Sequence, residues 1–165
     1  MRTLYLFSAL AVAVVFCGCK KDFPPSSSSL TIAQAGASLF SVDIAVTAGP
    51  GGGTPYGFAI QYATEAQLAA YTGAIDKDGW PVDPNAFCKA TYSSTTPNSI
   101  YALQAGQSVT VTVGGYGLVG CAGFTCSTAY VFRAFALTKS NVTKGASSNF
   151  LSASTVNCNI GAEGT

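Results

Sequence analysis

In four short segments of this 165-residue chain, apolar side chains recur at every second position, a period that only β-strands satisfy. Val42, Ile44 and Val46 share one face, with Asp43, Ala45 and Thr47 on the other. Tyr56, Phe58, Ile60 and Tyr62 form a second row; Val109, Val111 and Val113 form a third, against Thr110 and Thr112. Tyr130, Phe132, Ala134 and Ala136 make the fourth. A strand with one apolar face must bury that face against another sheet, so the pattern predicts antiparallel sheets packed face to face, an all-β sandwich. Gly-rich breaks separate the rows, at residues 49–53 and at Gly114-Gly115. Only residues 65–71 read as a helix, of one or two turns. Two stretches, 64–87 and 114–127, are too long for simple hairpins.

The strand pattern starts at Leu30. Before it, Arg2 precedes an almost unbroken apolar run over residues 4–16. That run is too short for a comfortable membrane span and fits the apolar core of a secretory signal helix. It ends at Phe16-Cys17-Gly18-Cys19, followed by Lys20-Lys21-Asp22. Here the sequence resembles the lipobox of bacterial lipoproteins, with an apolar residue at −3, a small residue at −1 and Cys at +1. The resemblance implies removal of residues 1–18 and diacylation of Cys19, a membrane partnership through lipid alone. Lys20 follows Cys19 where enteric-type sorting would place Asp for inner-membrane retention. The expected location is therefore the outer membrane of a Gram-negative envelope. Residues 19–29, with Pro24-Pro25 and four serines, read as a tether, and residues 30–165 as the sandwich domain.

From Thr128 to Ala136 the chain reads Thr-Ala-Tyr-Val-Phe-Arg-Ala-Phe-Ala, which looks like the F strand of fibronectin type III domains. Gly145, Ser148, Ala153 and Thr155 are similar to that family's G strand, and residues 56–62 to its C strand. The resemblance implies a sandwich of fibronectin type III or immunoglobulin-like topology with a long insertion between the C and E strands. It also implies that the C–C′ turn, the E–F turn and the end of strand G lie at one pole. Cys88, Cys121 with Cys126, and Cys158 would occupy those three places. An even number of cysteines in an exported chain favours disulfides over thiols. Three pairings remain open; the favoured one is Cys121–Cys126 with Cys88–Cys158. Zinc is disfavoured, because no Cys-x-x-Cys pair is present and the compartment is oxidising.

The chain has no His, which removes imidazole bases and the serine and cysteine triads built on them. From Leu30 onward, five basic residues (Lys77, Lys89, Arg133, Lys139, Lys144) face six acidic ones (Asp43, Glu65, Asp76, Asp78, Asp83, Glu163). With no basic stripe, nucleic acid is not an expected partner. The carboxylates are scattered, so a non-enzymatic role is expected. Asp76, Asp78 and Asp83 surround Gly79 and offer oxygens to calcium, although the full calcium-loop pattern is absent and a surface turn is the simpler reading. Otherwise no cofactor is expected. Trp80, the only Trp, either tucks onto the sandwich or stands exposed with Tyr71 and Tyr92 as a sugar-stacking surface. On the sixth strand, Val131, Arg133 and Phe135 point away from the core, which calls for cover from the insertion or for a partner. Asn141-Val142-Thr143 matches a glycosylation acceptor, which carries little weight in a bacterial lipoprotein. The leading expectation is an envelope protein that binds a protein or a glycan, or acts as a spacer; the runner-up is a carbohydrate-binding module built on Trp80.

Overall fold

A computed structural model describes residues 30–83, 85–94, 99–115, 121–140 and 147–158. The signal segment, the lipobox at Cys19, the tether, Gly145 and the Asn141 acceptor lie outside those residues. The strands are β1 (Thr31–Ala37), β2 (Ser41–Thr47), β3 (Gly57–Thr64), β4 (Cys88–Ser93), β5 (Ser108–Gly114), β6 (Ala129–Ala136) and β7 (Leu151–Ser154). They form two antiparallel sheets, ordered β1-β2-β5 and β4-β3-β6-β7.

The inward rows are those the alternation marks. Val42, Ile44 and Val46 of β2, with Val111 and Val113 of β5, meet Phe58, Ile60 and Tyr62 of β3 and Tyr130, Phe132 and Ala134 of β6 in one core. Each such aliphatic or aromatic side chain contributes about 1.5–3 kcal/mol by leaving water. Tyr56 departs from its expected row. It lies in the turn before β3 and is only half-buried, because the strand begins at Gly57. Edge strand β1 is covered at Ile32, whose N–H and carbonyl both pair with the side-chain amide of Asn149 (2.8 and 2.9 Å). That amide stands in for a neighbouring strand and blunts the edge.

Gly57 has φ +90, and a Cβ there would come within 2.0 Å of the Tyr92 carbonyl oxygen on β4. Both the left-handed backbone and the crossing of two main chains require glycine. Gly57→Ala is expected to lower stability by about 2–4 kcal/mol, the sum of backbone strain and a clash that rigid backbone cannot relieve. Urea denaturation of the two proteins measures the difference.

The long connection between β3 and β4 opens with a short helix, α1 (Glu65–Ala69). Thr64 caps it: its hydroxyl accepts from the Gln67 N–H, and the Gln67 side chain accepts from the Thr64 N–H (3.0 and 2.9 Å). The helix stops two residues short of the expected end, where Tyr71 closes a tighter turn onto Leu68. The rest of the connection folds back over the outer face of β3 and β6. Trp80, Leu68 and Phe87 settle on Ala63 and Val131 as a second small core. This is why β3 is buried on both faces.

Candidate functional site

Three places bring chemistry-bearing side chains together. The first lies beneath the insertion. On β6, Tyr130, Phe132 and Ala134 face the main core, so Val131, Arg133 and Phe135 face outward, as their alternation requires. Arg133 is nonetheless only 6% exposed. Its Nε donates to Gln61 Oε1 at 3.0 Å, Nη1 to Asp76 Oδ2 at 2.8 Å and Nη2 to the Pro81 carbonyl at 3.3 Å. Its guanidinium lies over the Trp80 ring (4.9 Å) and the Phe135 ring (4.6 Å). A buried cation needs this density of partners to offset its lost hydration.

Asp76 is the counter-charge. Its other oxygen accepts from the backbone N–H of Asp78 (2.9 Å) and Trp80 (3.0 Å). Partial desolvation pushes the Asp76 carboxyl up, but the Trp80 N–H, the Arg133 guanidinium and the Asp78 N–H outweigh it and hold it below the usual carboxylate range. The calcium expectation meets a different arrangement. Asp76 turns to Arg133, Asp78 pairs with Lys77 (2.7 Å), and Asp83 accepts from the Asn85 N–H (2.8 Å). The three carboxylates point at three separate partners and do not converge on one point. Among the described residues, no group of three or more His, Cys, Asp or Glu is placed to hold a metal ion.

The aromatic residues put forward as a sugar-stacking surface do not form one. Trp80 is 1% exposed, its ring set between Phe87 (5.5 Å) and Phe150 (5.4 Å). Tyr71 stacks edgewise on Phe87 at 5.6 Å within the insertion. Tyr92 lies across the sheet from them, against Phe58 (5.3 Å) in the main core, with its hydroxyl donating to the Thr112 carbonyl at 2.8 Å. Phe135 is half-buried beneath Arg133. The insertion thus supplies the cover that the outward row of β6 requires.

The second place is the cysteine pole. The four cysteines among the described residues all form disulfides, but the favoured pairing is corrected: Cys88 joins Cys121 and Cys126 joins Cys158, with Cα–Cα distances of 5.8 and 5.4 Å. The reason lies between Cys121 and Cys126. Phe124, only 4% exposed, stacks on Tyr130 with ring centroids 4.0 Å apart and pins the middle of the loop into the core. The two halves of the loop then diverge. Cys126 is carried to the C-terminal segment, where Ser127 N–H donates to the Val156 carbonyl (3.0 Å) and Thr155 Oγ1 to the Thr125 carbonyl (2.7 Å). Cys121 is left beside the start of β4.

The third place, at the same pole, is a cavity of about 550 Å³ lined by Tyr62, Phe87, Tyr130, Gln67, Asn85 and Lys89 among others, with the Cys88–Cys121 bridge in its wall. Tyr62 is 3% exposed, and its hydroxyl is the one buried side-chain polar atom without a hydrogen-bond partner among the described residues. Leaving a buried hydroxyl unpaired costs about 1–3 kcal/mol. Burial, with Tyr130 beside it, pushes the Tyr62 hydroxyl up to about 12, so it stays protonated and can both donate and accept. Its neighbour Tyr130 is satisfied, accepting from the Thr125 N–H at 2.9 Å. Sequence reasoning passed over Tyr62, since a Tyr in an apolar row reads as core.

The pole also has a direction. Leu30 leads into β1, whose seven residues span about 23 Å at a rise of about 3.3 Å each. At the far end of that strand, the Ser38 carbonyl accepts from the Val156 N–H, next to Cys158 (2.9 Å). The cysteines and the cavity therefore stand at the pole opposite the point where residue 30 continues toward the N-terminus. Among the described residues, no helix is long and apolar enough to cross a membrane. No protein-family model matches the chain, and a search of curated proteins finds no match.

Proposed function

We propose that this chain is a lipid-anchored protein of a Gram-negative envelope, at the outer membrane, whose fibronectin type III-like sandwich presents a non-enzymatic binding pole away from the bilayer. The observation that carries the reading is the opposition of the two poles. Chain from the tether enters at Leu30, while the disulfides and the cavity lie a strand's length away at the other end. A domain held by a lipid on Cys19 would offer that far pole to a protein or glycan outside the membrane. Two disulfides suit an oxidising compartment outside the cytoplasm, as the exported reading expects.

Two features favour the fibronectin or immunoglobulin-like topology. With the seven strands labelled A, B, C, C′, E, F and G in order, A, B and E share one sheet and C, F and G the other, as in immunoglobulin-like sandwiches. Tyr130, near the start of β6, takes a hydrogen bond from backbone a few residues upstream, the arrangement known in such domains as a tyrosine corner.

Mass spectrometry of the protein expressed with its own leader tests the proposal. The expected product begins at a diacylated Cys19 and has no free thiol. A product that keeps residues 1–18, or carries an unmodified Cys19, overturns the anchor.

A further inference from the structure

We infer that the outer edge of β5 is a strand-addition site. It takes an uncharged, extended segment of a partner protein, one apolar side chain of which enters a hollow beside Ile100. The inference needs neither the lipid anchor nor the cysteine pole.

Its first support is that the other three sheet edges are guarded and this one is not. β1 is bulged between Gln34 and Gly36 and covered at Ile32 by the Asn149 amide. β4 carries Lys89 and is tied at Cys88 to Cys121, and β7 has four residues. Charge, bulges, covers and shortness are the usual devices that keep an edge from pairing. β5 has none of them: Ser108–Gly114 is uncharged, free of Pro and in unbroken register with β2. The ladder also fixes which groups face out. Just beyond its two ends, the Ala48 N–H donates to the Gln107 carbonyl (2.9 Å) and the Gly115 N–H to the Phe40 carbonyl (2.7 Å). Alternate residues of an antiparallel strand bond to one neighbour, so Val109, Val111 and Val113 bond to β2. The N–H and C=O groups of Ser108, Thr110 and Thr112 then point away from it, and all three residues are exposed. Tyr92 caps the Thr112 carbonyl, which leaves the half of the edge at Ser108 and Thr110 open.

The second support is a hollow of about 550 Å³ against that open half, lined by Ile100, Val109, Ser99, Gln104 and Ser108 among others and by no charged residue. Ile100 is 69% exposed, and Val109 is half-buried. A strand added to β5 would set one side chain opposite Val109 and on the same face, at the hollow. Main-chain hydrogen bonds would supply affinity and the hollow the choice of side chain. A charged side chain would lose water there and meet no counter-charge, so the segment is uncharged. A second copy of this chain fits less well. Pairing two β5 strands about a twofold at Thr110 sets the open end of each against the Tyr92-capped end of the other. The side chain then opposite Val109 is Val111, which is 5% exposed and held in its own core.

The test is a fluorescence-anisotropy titration of the full-length protein, in detergent, against labelled peptides of the form Thr-Val-Thr-X-Thr-Val-Thr, with X as Val, Ile, Leu or Phe. At least one of the four is expected to bind with a Kd of about 0.1 mM. A copy of that peptide methylated on every amide nitrogen is expected not to bind. Thr110→Pro removes an outward N–H without touching the ladder to β2, and should weaken binding about tenfold. Ile100→Ser, an exposed change, should weaken it severalfold with the thermal midpoint unchanged. Failure of all four peptides at about 1 mM overturns the inference. So does undiminished binding of the methylated peptide, or undiminished binding by Ile100→Ser, which stays informative should Thr110→Pro fail to fold. Sedimentation velocity is expected to show a monomer. A dimer that Thr110→Pro dissociates would make a second copy the occupant, and would overturn the partner segment.

Discussion

Reducing both disulfides is expected to remove about 7 kcal/mol from the stability of this domain and to leave it largely unfolded at 37 °C. Cys88–Cys121 and Cys126–Cys158 close loops of 33 and 32 residues. In the chain-entropy description, a cross-link over a loop of that length contributes about 3.7 kcal/mol by restricting the unfolded chain. Together the two bridges approach the whole margin of about 5–15 kcal/mol that separates folded from unfolded domains. Urea unfolding followed by far-ultraviolet circular dichroism, with and without reductant, measures the loss. Replacing Cys126 and Cys158 together by Ser should cost about half as much and should act first on β7. That four-residue edge strand has β6 as its one ladder partner, and Cys158 follows close behind it. The same double variant also checks the connectivity. It should show no reactive thiol, because Cys88–Cys121 survives intact. Two reactive thiols would mean that Cys88 and Cys121 are not bridged to each other, and the stability argument built on those two loops would fall.

What the sequence made legible follows from how local each signal is. The inward rows were readable because alternation is a property of neighbouring residues: Val42, Ile44 and Val46 could share a face only as a strand, and they are fully buried. The same rule placed Arg133 and Phe135 on the outer face of β6 and called for a cover. It could not say what the cover would be. Asp76 is 57 residues from Arg133 and, like Trp80, belongs to the long connection, so both reach Arg133 only once the insertion has folded, whereas Gln61 meets it as its cross-strand partner on β3. The cysteine pairing failed for a similar reason. Cys121 and Cys126 are near in sequence, and only the burial of Phe124 between them sends each to a distant partner. Tyr56 was misplaced because alternation does not register the left-handed turn at Gly57. Tyr62 left no signal at all, since its hydroxyl becomes unusual only once every neighbour has been placed.

Trp80→Ala is expected to destabilise the protein by about 3–5 kcal/mol, the range for truncating a fully buried aromatic. The effect should exceed the lost area, because Trp80 holds the insertion in place through Phe87, Phe150, Ala63 and Val131 while lying beneath the Arg133 guanidinium. Arg133→Met keeps much of the side-chain volume but takes the guanidinium away from the Pro81 carbonyl and the Asp76 carboxylate, at about 3 kcal/mol. In a double-mutant cycle the two changes should couple by about 1 kcal/mol, reflecting the shared cation–π contact. Acid should act on the same cluster. The Asp76 carboxyl lies below its ordinary value in the folded protein, so the ion pair stabilises fully above the unfolded carboxylate pKa of about 3.9 and is lost as the pH falls below it toward the folded value. Because the Asp76 side chain is 32% exposed, that loss should be the smaller effect. Trp80 is the only Trp, so its emission reports the insertion without interference. A shift to longer wavelength in Arg133→Met, with the far-ultraviolet spectrum of the sandwich unchanged, would mean that the insertion lifts off the sheet before the sheets part. A simultaneous loss of both signals would instead make Arg133 and Trp80 part of one cooperative core with Phe58 and Phe132. The insertion would then be a third layer of the fold and no longer a cover laid over it.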